Sequence, residues 1–342
     1  DEVGYIKISR FSKTTYSEFR KALQKLKSKG MKKLMMDLRG TPGGYLDKAV
    51  KIADEFIAGN DKLVYTDGKG IRFDSEYRAK DRGLFEKGPI IVLIDEESAS
   101  ASEIVAGALQ DHDRALLVGR RSFGKGLVQL PIDLNDGSEL RLTISRYYTP
   151  SGRSIQKPYN SYQTDLLDRY NSGELFNRDS IKVNDSLRYK TSHGRIVYGG
   201  GGIIPDYFVP LDTGNQHYFT DLIRNNIIGE YVLDYSNQHK SKIEAYGLSN
   251  FQKTFLVDEV MMQELVTLAN QREVTFDKEA YTETKDQIRN YVKAQIARRI
   301  WSNEGFYSII HNQDPIFNRA VELFSEAEKL EKKKFDQLAK DQ

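Results

Sequence analysis

The sequence predicts an α/β protein with a helical C-terminal region. Over the first 150 residues, strand-like apolar runs alternate with stretches of helical spacing. The run from Ile90 to Ile94 is apolar at every position, as in a parallel strand covered on both faces. Beyond residue 212 glycines and β-branched residues thin out, and helical periodicity takes over.

The elements follow in order. Val3 to Ile8 reads as a strand. Thr15 and Glu18 stand at capping-box spacing, and Phe19, Ala22, Leu23 and Leu26 continue a helix up to Gly30. Leu34 to Leu38 is a buried strand, ended by the breaker cluster Arg39-Gly40-Thr41-Pro42-Gly43-Gly44. Leu46, Ala49, Val50, Ala53, Phe56 and Ile57 form the next helical face. After the Ile90–Ile94 strand, Ile104, Ala108 and Leu109 mark a helix, and Ala115 to Val118 another strand. Leu130–Ile132 and Glu139–Tyr148 form a hairpin around Asn135-Asp136-Gly137. Residues 157–197 are polar without a strong period and read as an insertion. Residues 256–271, 279–301 and 316–335 read as helices, with Ile288, Tyr291, Val292 and Ile296 on one face. The charged stretch Glu328 to Lys334 is a solvated helix end.

Composition narrows the chemistry. The chain has 342 residues and a hydrophobic fraction of 39%, enough for a sizeable core and two domains. Its 51 basic and 49 acidic residues leave a net charge of +2, so charge gives no case for a nucleic-acid partner. With no cysteine, disulfides, thiolate metal sites and cysteine nucleophiles are excluded. No apolar run approaches the roughly 18 residues of a membrane helix. The opening Asp1-Glu2-Val3-Gly4 reads as the middle of a protein, so a natural N-terminus is expected upstream.

Two segments carry the candidate chemistry. Ser98-Ala99-Ser100-Ala101-Ser102-Glu103 places hydroxyls where a strand gives way to a helix. There the positive end of the helix dipole favours developing oxyanion charge. Serine is also a common N-cap, and the triplet taken alone reads first as caps and helix-packing residues. About twenty residues on, Phe123-Gly124-Lys125-Gly126-Leu127-Val128-Gln129 holds a lysine between two glycines. A serine needs a base to attack an amide, and a lysine serves only if burial lowers its pKa from about 10.4. Taken alone, Lys125 reads as a surface loop residue. If a strand starts at Leu127, then Lys125, Leu127 and Gln129 share a face, and the Gln129 carbonyl could orient the amine. Gly43-Gly44 could offer unobstructed N–H groups to an oxyanion, or be a plain turn.

Two competing readings are weaker. Gly119 to Lys125 fits G-x-x-x-x-G-K, but Gly126 stands where a magnesium-binding hydroxyl belongs, and a strand follows instead of a helix. No nucleotide is expected. Of the five histidines only His112 lies near the serine motif, at the far end of the helix begun near Ser100 and beyond reach of its hydroxyl. No histidine pair has metal-ligand spacing, and no metal or cofactor is expected.

Six segments in order resemble the carboxy-terminal processing, or tail-specific, proteases of the S41 serine peptidase family. They are Gly4 to Ile8, Asp37 to Gly44, Ser98 to Glu103, Gly119 with Phe123 to Gln129, Tyr147 to Gln156, and Gly201 to Asp206. The resemblance implies a crotonase/ClpP-like S41 protease core over residues 1–210 and a helical C-terminal domain over 211–342. It implies Ser100 as nucleophile, Lys125 as general base, Gln129 as the residue orienting it, and an oxyanion hole from Gly44 and Ala101. A PDZ domain is expected before the Gly4-Tyr5 strand, and the 157–197 stretch is longer than the family's link. The implied function is a serine-type endopeptidase with a Ser/Lys dyad, cleaving proteins near apolar, loosely structured C-termini. Protein or peptide substrates are the expected partners, with a homo-oligomer or an adaptor as further ones, in the periplasm or envelope of a bacterium. The alternative is a non-catalytic binding or scaffold protein on the same fold. The C-terminal helices are expected to pack or assemble, with catalytic groups confined to residues before 130.

Overall fold

The apolar runs of the first half fold as the strands of one parallel sheet, seen in a computed structural model that describes residues 2–80, 82–159 and 162–338. Two units form. One comprises the chain up to Leu211 together with the segment from Arg319, the other Asp212–Asn318.

In chain order the first unit contains β1 (Val3–Lys7), α1 (Thr15–Ser28), β2 (Lys33–Asp37), α2 (Leu46–Asp54), β3 (Lys62–Gly68), β4 (Ser75–Arg78), β5 (Ile90–Ile94) and α3 (Ala101–Asp111). It continues with β6 (Leu116–Gly119), β7 (Leu127–Asp133), β8 (Glu139–Tyr148), α4 (Asp165–Asn171), β9 (Arg188–Lys190), β10 (Ile196–Tyr198) and β11 (Tyr207–Phe208). The main sheet has the order β1-β2-β5-β6-β11, with every neighbouring pair parallel.

All five residues of β5 are buried. Leu34, Met36, Val92 and Leu117 join Phe19 and Leu23 of α1, Ile52 of α2 and Ile104 of α3 in one core. The alternate strand residues Met35, Ile91 and Leu93 are just as buried. Part of their cover comes from the end of the chain, where α11 (Phe324–Leu338) packs beside β5 and Glu328 pairs with Lys33. Burying each such side chain contributes about 1.5–3 kcal/mol. The two-sided burial explains why β5 reads as an unbroken apolar run.

A second, antiparallel sheet has the order β4-β3-β8-β7. The expected β7–β8 hairpin is present. The pair β3–β4 falls in residues 58–89, for which the sequence offers no element. In the polar 157–197 stretch lie α4 and the antiparallel pair β9–β10.

The expected capping box at Thr15 does not form. The N-cap of α1 is Thr14, with no side-chain cap. The Thr15 hydroxyl instead accepts the Ser12 N–H (2.9 Å) and donates to the Arg10 carbonyl (2.9 Å). It closes the turn before the helix, a local competition typical of threonine.

The second unit is helical: α5 (His217–Arg224), α6 (Ile227–Tyr246), α7 (Leu248–Thr254), α8 (Glu259–Gln271) and α9 (Lys278–Ile310). Asp258 and Asp277 cap α8 and α9 by accepting the N–H groups of Met261 (2.9 Å) and Ala280 (2.8 Å). Ile288, Val292 and Ile296 are fully buried in its core. The helical pattern that ends at 301 in the sequence meets a break in α9, where Trp301 and Ser302 leave helical geometry. α10 (Pro315–Glu322) spans the division between the units, and residues from Arg319 on group with the first.

Candidate active site

The serine triplet sits between the buried end of β5 and the buried helix α3, and tertiary contacts distinguish its members. Ser98 donates its hydroxyl to the Leu38 carbonyl (3.0 Å), and Ser102 to the Thr41 carbonyl (3.0 Å). The Ala99 N–H adds a bond to Thr41 (3.0 Å). The outer serines therefore bind the loop after β2, which carries Gly43 and Gly44, to the start of α3. Ser100 is the member that opens onto a cleft of about 550 Å³. Its φ of 56° is a conformation L-residues rarely adopt. It places Ser100 on a sharp strand-to-helix corner, at the positive end of α3.

The same cleft is lined by Gly43, Gly44, Lys125 and Gln129, with apolar walls from Phe11, Leu46, Ile104 and Leu127. Gly44 has φ of 144°, and a Cβ there would lie 2.1 Å from the Phe11 carbonyl oxygen. A Cβ on Gly43 would lie 2.9 Å from the Ala101 nitrogen. Both glycines are thus required by close backbone approach. Among the described residues no acceptor takes the N–H of Gly44 or Ala101. These two donors are left available beside Ser100.

Lys125 is half-buried and precedes β7. Gln129 is exposed. The β7–β8 register shifts between Val128 and Gln129, so simple alternation does not carry the face from Leu127 to Gln129. Lys125 and Gln129 share the cleft, but no hydrogen bond joins them among the described residues.

Two residues without an assigned role in the sequence tie the serine and lysine segments together. The fully buried Glu103 carboxylate accepts the N–H groups of Ser100 (2.8 Å), Gly124 (2.7 Å) and Lys125 (2.8 Å), and the Ser122 hydroxyl (2.5 Å). Burial pushes its carboxyl above the usual range, opposed by these four donors. Its capping-box spacing from Ser100 was a signal legible in the sequence. Tyr147, buried on β8, brings its hydroxyl to the carbonyls of both Ser100 (3.0 Å) and Lys125. In the sequence it opens one of the six family-like segments, but with no role attached to it.

At the end of β2, Asp37 accepts from Tyr5 (2.8 Å) and from Arg39 (2.7 Å). Burial alone would raise its pKa. The Arg39 hydrogen bonds and charge, with Lys7 and Tyr5, outweigh burial and hold it at about 2. Because this lies below the unfolded value, the pair stabilises the fold above about pH 4 and loses that contribution as pH falls toward 2. The expected size is about 2 kcal/mol at neutral pH. Urea unfolding of wild type and Asp37→Asn between pH 5 and pH 2.5 checks this. Their stabilities should converge at the acid end, and a constant gap would refute it.

His112 caps the far end of α3 and its Nε2 lies 2.6 Å from the Lys62 carbonyl, away from the cleft. Gly119 to Lys125 runs into β7, so no helix N-terminus awaits a phosphate. Among the described residues, no three His, Cys, Asp or Glu side chains are grouped to hold a metal ion.

Comparison with known proteins finds similarity over both halves of the chain. Residues 2–162 match the family model described as Peptidase family S41, and residues 218–302 match a family of unknown function, DUF8443. A carboxy-terminal-processing protease of Bartonella bacilliformis is 45% identical over 159 residues, 45% of this chain and 36% of that protein. A probable CtpA-like serine protease of Staphylococcus saprophyticus is 28% identical over 289 residues, 81% of this chain and 53% of that protein. Among solved structures, the photosystem II D1 C-terminal processing protease has 27% identity and a TM-score of 0.44, covering 61% of this chain and 42% of that one. The chain spans about a third to a half of the length of the curated relatives it matches, from 30% to 53%.

Proposed function

Since residues 2–162 match the model of peptidase family S41, we propose that this chain is a serine endopeptidase working through a Ser100/Lys125 dyad. The observation that carries the reading is that Ser100, alone of its triplet, opens onto the cleft that Lys125 and Gly44 also line. In this mechanism neutral Lys125 takes the Ser100 proton as the Ser100 oxygen attacks the scissile carbonyl. The free N–H groups of Gly44 and Ala101, with the α3 dipole behind them, receive the oxyanion. Lys125 then gives its proton to the leaving amine, and water releases the acyl group from Ser100. Gln129 stands at the cleft wall, where it orients the lysine or the substrate.

The walls from Phe11, Leu46, Ile104 and Leu127 suit apolar side chains. This supports protein substrates with apolar, loosely structured C-termini. We assign residues 1–210 to the peptidase core and give the helices beyond it a packing or assembly role. A periplasmic or envelope setting follows from the resemblance. Among the described residues no helix is long and apolar enough to cross a membrane.

The test is cleavage of an unfolded protein with an apolar C-terminus by the full chain and by Ser100→Ala. Wild-type cleavage that disappears in the folded variant is the expected result. Equal cleavage by both would remove Ser100 as nucleophile. Binding without cleavage by either would favour a scaffold protein on the same fold.

A further inference from the structure

The loop from Arg121 to Gly126 places Lys125, and it is gripped from two sides. On the cleft side stand Glu103 and Tyr147. The other side is covered by residues 156–159 and 162–174, whose later part lies beyond the segment matching the peptidase family. Gln156 accepts the Gly126 N–H (2.8 Å), and the Lys157 N–H donates to the Gly124 carbonyl (3.0 Å). The buried Lys157 ammonium lies 3.6 Å from the centre of the Phe123 ring and is paired with Asp165 (3.0 Å). Tyr162 meets Phe123 edge to face at 5.4 Å.

Arg169 of α4 is as deeply buried in this layer as Lys157, only 3% exposed. It donates to the Ser122 carbonyl (3.2 Å) and the Arg121 carbonyl (2.5 Å). Its Nε donates to Glu174 (2.8 Å), and Glu174 in turn holds Arg121 through two bonds of 2.6 Å. Two successive buried carbonyls and a carboxylate converge on one planar cation. A guanidinium can serve all three at once, and an ammonium cannot match that spread.

We propose that residues 157–159 and 162–174 act as a clasp that fixes the lysine loop, with Arg169 as a positioning residue for Lys125. The proposal rests on the Ser100/Lys125 reading above. Arg169 touches neither the cleft nor Lys125. It acts through the backbone of Arg121 and Ser122, four and three residues before the base. Displacing a catalytic group by about 1 Å can cost about 100-fold in rate. Loss of the clasp therefore lowers the chemical step while leaving the substrate-binding walls intact.

The test is kcat, KM and the kcat–pH profile of the full chain on one peptide substrate, for wild type, Arg169→Ala, Arg169→Lys, Lys157→Met and Lys125→Met. Arg178→Ala, an exposed position in the same stretch, is the control. Arg169→Ala is expected to lower kcat about 10- to 100-fold, with KM within about twofold and an altered pH profile. Arg169→Lys should restore little of it, because its charge is kept but its fork is lost. Lys157→Met, which keeps the bulk over Phe123, should give a smaller fall in kcat and remains informative if Arg169→Ala does not fold. The proposal is overturned if folded Arg169→Ala, or in its absence Lys157→Met, keeps wild-type kcat and pH profile while Lys125→Met is inactive. If Lys125→Met itself keeps wild-type turnover, the dyad reading fails and the clasp falls with it.

Discussion

Lys125→Met is expected to lower kcat about 10⁴-fold while the protein stays folded and KM changes little. General-base transfer is worth about 10²–10⁴-fold, and a nucleophile left with no base loses the larger figure. Methionine preserves the length and bulk of the side chain but cannot accept a proton. The backbone of residue 125 is held by Glu103 and Tyr147, independently of the side chain. The loop should therefore stay in place when the amine is removed. Steady-state kinetics beside a thermal melt would check this. Turnover within about tenfold of wild type would mean that another group takes the Ser100 proton.

The second large effect is expected at Glu103. Glu103→Gln keeps the shape but turns one acceptor oxygen into an NH₂ that faces donors. Four donors now converge on the carboxylate, two of them from the lysine loop backbone. Hydrogen bonds to a charged acceptor contribute about 1.5–3 kcal/mol each, and a buried donor left without a partner costs about 1–3 kcal/mol. A loss of about 3 kcal/mol in unfolding free energy is expected, with kcat lowered by about 100-fold or more as the serine and lysine segments drift apart. Urea unfolding and kinetics on the same preparation read both. Unchanged kcat with lowered stability would show that Glu103 supports the fold without setting the site.

Much of this site was legible where the signal is local. The fully apolar β5, the hairpin around Asn135-Asp136-Gly137 and the Ile288–Val292–Ile296 stripe each announce themselves within a few residues. So does the placement of Ser100 at a strand-to-helix corner. The meaning of Ser98 and Ser102 was not legible. Their partners, Leu38 and Thr41, lie about sixty residues away, and only folding shows which hydroxyls are committed to backbone. Tyr147 and Arg169 were hidden for the same reason. The β3–β4 pair escaped because β3 lacks a regular alternation, and β4 is short and half-exposed. At Thr15 a correct spacing misled, because the turn upstream competes for the same hydroxyl.

The backbone at Ser100 has a consequence for how the nucleophile can be interrogated. A side chain held at φ of 56° costs the fold on the order of 1–3 kcal/mol, and glycine alone escapes that cost. Chemistry and foldability thus make opposite demands on one position: the residue that would fold best there cannot attack a carbonyl. Alanine inherits the strained corner and removes only the oxygen, so it is the faithful blank for the reaction. Glycine would remove the oxygen and relax the corner together, and any gain in stability would measure the tension under which the nucleophile is presented.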